Sequence, residues 1–354
     1  MSELKTNKIS TNDQNNVAID NALGLKSYTT TARDALTSVA GDMIYNTTDS
    51  KPQFYNGTAW TDFAPTPLLS VEYIVVAGGG GGGTDRGGGG GAGGYRSSVR
   101  DENSGGGTSA NTNETRFIAN TGTSYSVTIG AGGAAGGSSE VGGSRGGTST
   151  FISISSTGGG GGRFFGGGGN TGGSGGGGGG WSNTGGLAGT AGQGFSGGNG
   201  ITASNGRAGG GGGAGAVGVN ASSRPDGGIG VQTSITGTPM YLAGGGGGGN
   251  DDRTERDPGN GGLGGGGDGG DTSSITPGER NPSSGTVNTG GGGGGSGVDP
   301  YTAQRGKTGG SGVVYLLYPD GYSITSGTAT YTETDRGDGF KYAKVTASGT
   351  LSWT

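Results

Sequence analysis

Residues 71–83, VEYIVVAGGGGGG, run from the most apolar segment of the chain straight into six consecutive glycines. VEYIVVA reads as a β-strand covered on nearly both faces, because polar residues do not alternate with its apolar ones. Glycine is the opposite kind of residue. It has no side chain to bury, and ordering it in a helix or strand costs ~0.5–1 kcal/mol more than ordering alanine. A run of six can adopt the extended, threefold polyproline-II type of helix, spanning roughly 19 Å at ~3.1 Å per residue. That conformation has no internal hydrogen bonds, so each N–H and C=O has to bond sideways or to water. A lone run stays disordered. Many runs packed side by side satisfy one another's backbone groups, with Cα–H···O contacts added, provided every inward position is glycine. The strand is then a clamp that sets the register where the glycine run begins.

The same join recurs. Ile152 and Ile154 precede the run 158–162, and Met240-Tyr241-Leu242-Ala243 precede 244–249. Long runs also occupy 87–91, 166–169, 175–180, 209–213, 264–267 and 290–295. The zone closes in reverse order, with Gly309-Gly310-Ser311-Gly312 leading into Val313-Val314-Tyr315-Leu316-Leu317-Tyr318. VEYIVV and VVYLLY are expected to pair with each other and bring the ends of the zone together. The competing reading is a disordered linker, which gives no reason for apolar strands at both ends or for aromatic and charged loops between runs.

Glycine accounts for 99 of 354 residues and hydrophobic residues for 27%, against ~45–50% in an average domain. A conventional core cannot span such a chain. Collagen is excluded because no strict G-X-Y period exists. There is no cysteine and no histidine, so a disulfide framework, a thiolate metal site and a Ser-His-Asp arrangement are excluded together. The net charge of -5 gives no basic footprint for nucleic acid. No apolar run approaches the ~20 residues of a membrane helix, and MSELKTNKIS lacks the apolar stretch of a secretory signal. Matches to G-x-G-x-x-G are expected by chance at this glycine content and sit in no βαβ unit. No cofactor, metal or enzymatic activity is expected. Asp268 and Asp271 suggest cation ligands only faintly, and Asp251, Asp252 and Asp257 read as surface charge paired with Arg253 and Arg256.

Three segments follow. Residues 1–68 have ordinary composition, with a short helix expected over 31–38 and a β-meander over 41–63 built on Met43–Tyr45, Gln53–Tyr55, the Asn56-Gly57 turn and Ala59–Thr61. So small a meander cannot stand alone, so 1–68 is expected to attach the protein to a partner or to further copies of itself, as a homotrimer. Residues 69–319 are the glycine-rich zone. Residues 320–354 read as closing hairpins, with a turn at 335–339 and Leu351 and Trp353 at the end. The fold class is mostly irregular and β.

The glycine zone, with VEYIVVAGGGGGG, GGAGGYR, YSVTIGAGG, YLAGGGGGG, TVNTGGGGGGSG and GGSGVVYLLYP, resembles the glycine-rich domains of bacteriophage tail-fibre and tip-adhesin proteins. FKYAKVTASGTLSW resembles the tails that follow such domains, and GDMIYNTTDSKPQFYNGTAW a small module of phage tail fibres. The resemblance implies a sandwich of polyglycine-II helices whose tip loops bind the host. It implies a virion location, other tail proteins as neighbours, and a host surface glycan or outer-membrane protein as target. In that arrangement several runs leave the strands in one direction, and the loops after them share the far end. These carry the expected receptor-binding residues: Asp85, Arg86, Arg163, Phe164, Phe165, Asp251, Asp252, Arg253, Asp299 and Tyr301. Trp181 and Phe195 also interrupt the glycine, as tip residues or as staples of the flanks. A bacterial surface or filament-forming protein is the alternative, and an ice-binding protein is disfavoured because no regular threonine array exists.

Overall fold

The computed structural model describes residues 24–63, 69–107, 114–137, 141–181, 184–202, 206–251, 257–271, 280–297 and 305–354. The chain divides into two compact units, residues 1–68 and 69–354.

The first unit contains β1 (Ser27–Tyr28), α1 (Thr30–Asp34) and β2 to β4 (Met43–Asn46, Lys51–Tyr55 and Trp60–Asp62), in a sheet of order β1-β2-β3-β4. The helix is shorter than the expected 31–38. It begins at the N-cap Thr29, whose hydroxyl accepts from Ala32 N, and stops at Ala35 because no buried side chain anchors it. The Asn56 carboxamide oxygen accepts from Thr58 N and Ala59 N, and Gly57, at φ 101°, completes the turn.

The second unit is almost entirely strand and irregular backbone. Its strands are β5 (Leu69–Val76), β6 (Tyr95–Ser97), β7 (Phe117–Ala119), β8 (Tyr125–Thr128), β9 (Ser149–Phe151), β10 (Ile154–Ser156), β11 (Val231–Thr233), β12 (Met240–Leu242), β13 (Val313–Pro319), β14 (Ile324–Gly327), β15 (Thr330–Asp335), β16 (Phe340–Ala347) and β17 (Gly349–Trp353). One sheet has the order β15-β16-β13-β5-β6, with β7 also on β5, and a second has the order β10-β9-β8-β17-β14. The terminal clamps do pair, antiparallel, with Ile74 opposite Tyr315 and Val76 opposite Val313.

Both faces of this strand pair are buried. Val71, Tyr73 and Val75 join Val314, Leu316 and Tyr318 in a core against Val127, Phe151, Leu351 and Trp353 of the second sheet. Ile74 and Val76 join Val313, Tyr315 and Leu317 on the other face, against Ala92, Tyr95, Ala214, Ile235 and Leu242. Each such side chain, fully buried, contributes about 1.5–3 kcal/mol. Residues 320–354 belong to these sheets, β16 lying on β13 and β17 on β8. On β16 the fully buried positions are the small Ala343 and Val345, not the larger Tyr342 and Lys344 of the opposite face.

The glycine runs stand on this β base. Run 78–83 is buried throughout, and its N–H groups go in turn to three neighbours. Gly78 and Gly81 donate to Gly147 and Ser144, Gly79 and Gly82 to Gly310 and Lys307, and Gly80 and Gly83 to Gly91 and Gly88. Its carbonyls accept from three others: Gly78 and Gly81 from Gly159 and Gly162, Gly79 and Gly82 from Gly133 and Gly136, and Gly80 and Gly83 from Gly293 and Ser296. The period of three and the six neighbours leave no backbone group of this run without a partner, which is how buried backbone has to be arranged. They also leave no room for a side chain. A Cβ on Gly80 would lie 2.5 Å from the Gly160 carbonyl carbon and 2.8 Å from the Gly159 oxygen. Flanking runs tolerate some side chains: Gly306, Gly309 and Gly312 face Gly82, Gly79 and Val76, and Gly310 faces Thr286, while Lys307 and Thr308 stand between them.

Two of the long runs are not interior. Residues 166–169 form a turn, with Gly167, Gly168 and Gly169 at positive φ, and residues 264–267 begin with Gly264 and Gly265 at φ 101° and 95°. At Gly167, where a Cβ would meet nothing within 4 Å, glycine serves conformation alone, whereas Gly266 and Gly267 also approach the backbone of Gly245 and Ser283 closely.

Candidate functional site: the end of the glycine block away from the strands

Bond direction fixes where the loops lie. Runs 158–163, 130–137 and 290–296 advance in step with run 78–83, since Gly159 and Gly162 donate to Gly78 and Gly81, and Gly293 and Ser296 to Gly80 and Gly83. Run 244–249 advances with 290–296, because Gly292 and Gly295 donate to Gly244 and Gly247. Runs 78–83, 130–137, 158–163 and 244–249 leave β5, β8, β10 and β12. Residues 84–86, 164–167, 250–251 and 297 therefore collect at the end opposite the strands. Return runs 87–94, 142–147, 224–230 and 306–312 lead back into β6, β9, β11 and β13.

Arg86 is the centre of this end. Asp85 and Arg86, at φ 48° and 50°, reverse the chain between Gly83 and Gly87. The Arg86 Nε donates to Asp251 Oδ2 at 2.9 Å and its Nη1 to Asp85 Oδ1 at 3.0 Å. Its backbone N–H donates to the Gly297 carbonyl at 3.3 Å, and its carbonyl accepts from Gly180 N at 2.9 Å. Asp85 N donates to Ser296 Oγ at 3.1 Å. The guanidinium lies 5.1 Å from the Trp181 ring centroid, within cation–π range. Arg86, through its side chain and its backbone together, thus ties four loops that are far apart in sequence.

Asp251 has a side chain only 1% exposed and that of Arg86 is 12% exposed. The expectation that Asp251 is surface charge is corrected; Arg253 and Arg256, its expected partners, lie outside the described residues. The turn after run 244–249 carries its carboxylate inward to a partner 165 residues away. Asp85 remains about one-third exposed. The Arg163 carbonyl accepts from Gly88 N at 2.7 Å. Phe164 and Phe165 stand half-buried on the next turn, edge to face at 5.6 Å, and that turn is closed by paired bonds between Phe164 and Gly167. Asp252, Arg253, Asp299 and Tyr301 lie outside the described residues.

Trp181, which the sequence offers as either a tip residue or a staple of the flanks, follows six glycines as directly as Thr84 does. It is 47% exposed and sits at φ 83°, a conformation that costs a bulky residue about 1–3 kcal/mol and needs surrounding structure to enforce it. The Gly180 bond to Arg86 and the bond from Trp181 N to the Ile201 carbonyl at 3.1 Å supply that constraint.

Among the described residues no group of three His, Cys, Asp or Glu side chains is placed to hold a metal ion, and no helix is long and apolar enough to cross a membrane. The faint cation ligands Asp268 and Asp271 are used on the backbone, accepting from Gly261 N and Arg280 N, both at 2.8 Å.

Comparison with curated proteins finds no match, and comparison with solved structures finds none. Comparison with protein families matches the glycine-rich domain over residues 55–319, most of the chain, and the protein therefore belongs to the glycine-rich domain family.

Proposed function

We propose that the protein is a non-enzymatic virion tail-fibre or tip adhesin that recognises a host cell-surface receptor, a glycan or an outer-membrane protein loop. Its glycine runs are packed polyglycine-II helices, and its N-terminal unit joins it to other tail proteins as a homotrimer. The observation that carries this reading is the convergence of loops 84–86, 163–165, 181 and 250–251 at the end of the glycine block away from the strands. A scaffold of glycine has no side chains with which to recognise anything, so recognition falls to the loops it holds rigid. Arg86 and Asp251 neutralise and position one another. Trp181, Phe164, Phe165 and Asp85 keep exposed surface for the ligand, and an aromatic plane of this kind binds a sugar face or fills an interface pocket.

Adsorption of the protein to host cells tests the proposal, with thermal stability measured alongside. Trp181→Gly is expected to lower adsorption at least tenfold, about 1.4 kcal/mol, and to leave the melting temperature unchanged or higher, because glycine relieves the backbone strain at φ 83°. The triple change of Phe164, Phe165 and Tyr301 to alanine separates binding from stapling. Full adsorption by either variant's folded fraction refutes the role of the residues it replaces, and full adsorption by both refutes the proposed tip.

A further inference from the structure

The four-stranded sheet of the first unit has its polarity inverted. Side chains alternate between faces along a strand, and directly paired residues share a face. Met43 pairs with Phe54 and Phe54 with Thr61, while Ile44 pairs with Gln53 and Gln53 with Asp62. The face bearing Gln53 is covered around Ile44, Asn46 and Gln53, with Tyr55 and Trp60 half-buried at its edge, and side-chain hydrogen bonds fill its middle. Asn46 is fully buried and Gln53 nearly so. Asn46 Nδ2 donates to Gln53 Oε1 at 3.1 Å, Arg33 Nη1 from α1 donates to the same oxygen at 2.8 Å, and Gln53 Nε2 donates to Asp62 Oδ1 at 2.7 Å. The opposite face carries Met43, Tyr45, Pro52, Phe54, Thr61 and Phe63. Met43 is 45% exposed, Tyr45 37% and Phe63 47%, and Phe54 and Phe63 already stack edge to face at 5.3 Å. Solvent meets the apolar side of this sheet while its hydrogen-bonded side is shut away.

We propose that this apolar face is the contact between copies of the chain, each sheet packing its Met43–Phe54–Phe63 face against the same face of its neighbours. The inference deepens the homotrimeric attachment role proposed above. Among the described residues of this unit Ile44 is the one fully buried hydrophobic side chain. A unit of this size with so small a core is not expected to be stable by itself, so its partner has to be present whenever the chain folds. Another copy of the chain always meets that condition. The face carries no charge, so three copies turn it toward a common threefold axis without opposed like charges, a closed cyclic arrangement.

The test uses the full chain and its mass in solution by sedimentation. The wild-type chain is expected to be an oligomer. Met43→Lys and Met43→Glu place a charge at an exposed position, where the isolated sheet tolerates it, and each is expected to weaken self-association roughly 100-fold by opposing like charges across the contact. Mixing the two variant chains is expected to restore the oligomer. Amide exchange over residues 43–55 distinguishes dissociation from unfolding. A monomeric wild-type chain overturns the proposal and leaves residues 1–23 or another tail protein to meet this face. Single variants as strongly associated as wild type also overturn it, as does a mixture that stays monomeric. Because mass is blind to receptor binding, a negative result here leaves the adhesin reading to stand or fall on adsorption.

Discussion

Replacing Gly80 with alanine separates a packed glycine block from a flexible linker. In a linker the residue is disordered in the folded and the unfolded state alike, so the substitution leaves stability unchanged; where glycine is ordered and has room, alanine stabilises by about 0.4–1 kcal/mol. In this fold the new methyl would sit 2.5 Å from the Gly160 carbonyl carbon, and closer still to its oxygen. Ordinary contact begins near 3.4 Å, so runs 78–83 and 158–163 have to part by about 1 Å at van der Waals separation. Their two bonds, from Gly159 N to Gly78 O at 2.8 Å and from Gly162 N to Gly81 O at 2.9 Å, do not survive that shift. Both are buried, and an unsatisfied buried backbone group costs about 1–3 kcal/mol. The loss is about 2–6 kcal/mol, well above the entropic gain. At about 2–4 °C per kcal/mol for a large domain, the melting temperature should fall by roughly 10 °C in calorimetry. Gly137 is the control: a Cβ there meets nothing within 4 Å, so Gly137→Ala should be neutral or slightly stabilising. A Gly80→Ala chain as stable as wild type, or more so, refutes the packed arrangement of the runs.

Arg86→Met leaves the Asp251 carboxylate, 1% exposed, without its arginine. It should destabilise by about 3–5 kcal/mol in denaturant unfolding, and adding Asp251→Leu should recover part of that loss. The buried tyrosines set an alkaline limit. Burial pushes the Tyr315 hydroxyl up to about 12. It also raises Tyr73, Tyr95 and Tyr318, with Glu114, Glu102 and Glu333 adding to the respective shifts. A folded value above the ~10 of an unfolded tyrosine means that the stabilisation is complete below pH ~10 and is lost as pH rises through the folded values. Absorbance at 295 nm and circular dichroism should therefore change together above pH ~11. Ionisation of these tyrosines centred near pH 10, with structure retained, would contradict their burial.

Much of the architecture is written locally. VEYIVV and VVYLLY are apolar at every other position and at the positions between, so each requires cover on two faces, and the structure supplies two cores. The joins at Ala77, Thr157 and Ala243 mark where strand gives way to glycine, because side chains end there. Asn56-Gly57 sets its turn by φ alone. Other features depend on which segments become neighbours, and composition is silent on that. Four glycines at 166–169 make a turn and six at 78–83 make an interior, a difference decided by whether other backbones surround them. Asp251 reads as surface charge until the fold brings Arg86 to it across 165 residues. The inverted sheet of the first unit escapes a local reading for the same reason. Met43, Tyr45 and Phe54 face away from Ile44 and Gln53, because the sequence determines which residues alternate and only tertiary contact decides which side of the alternation meets water.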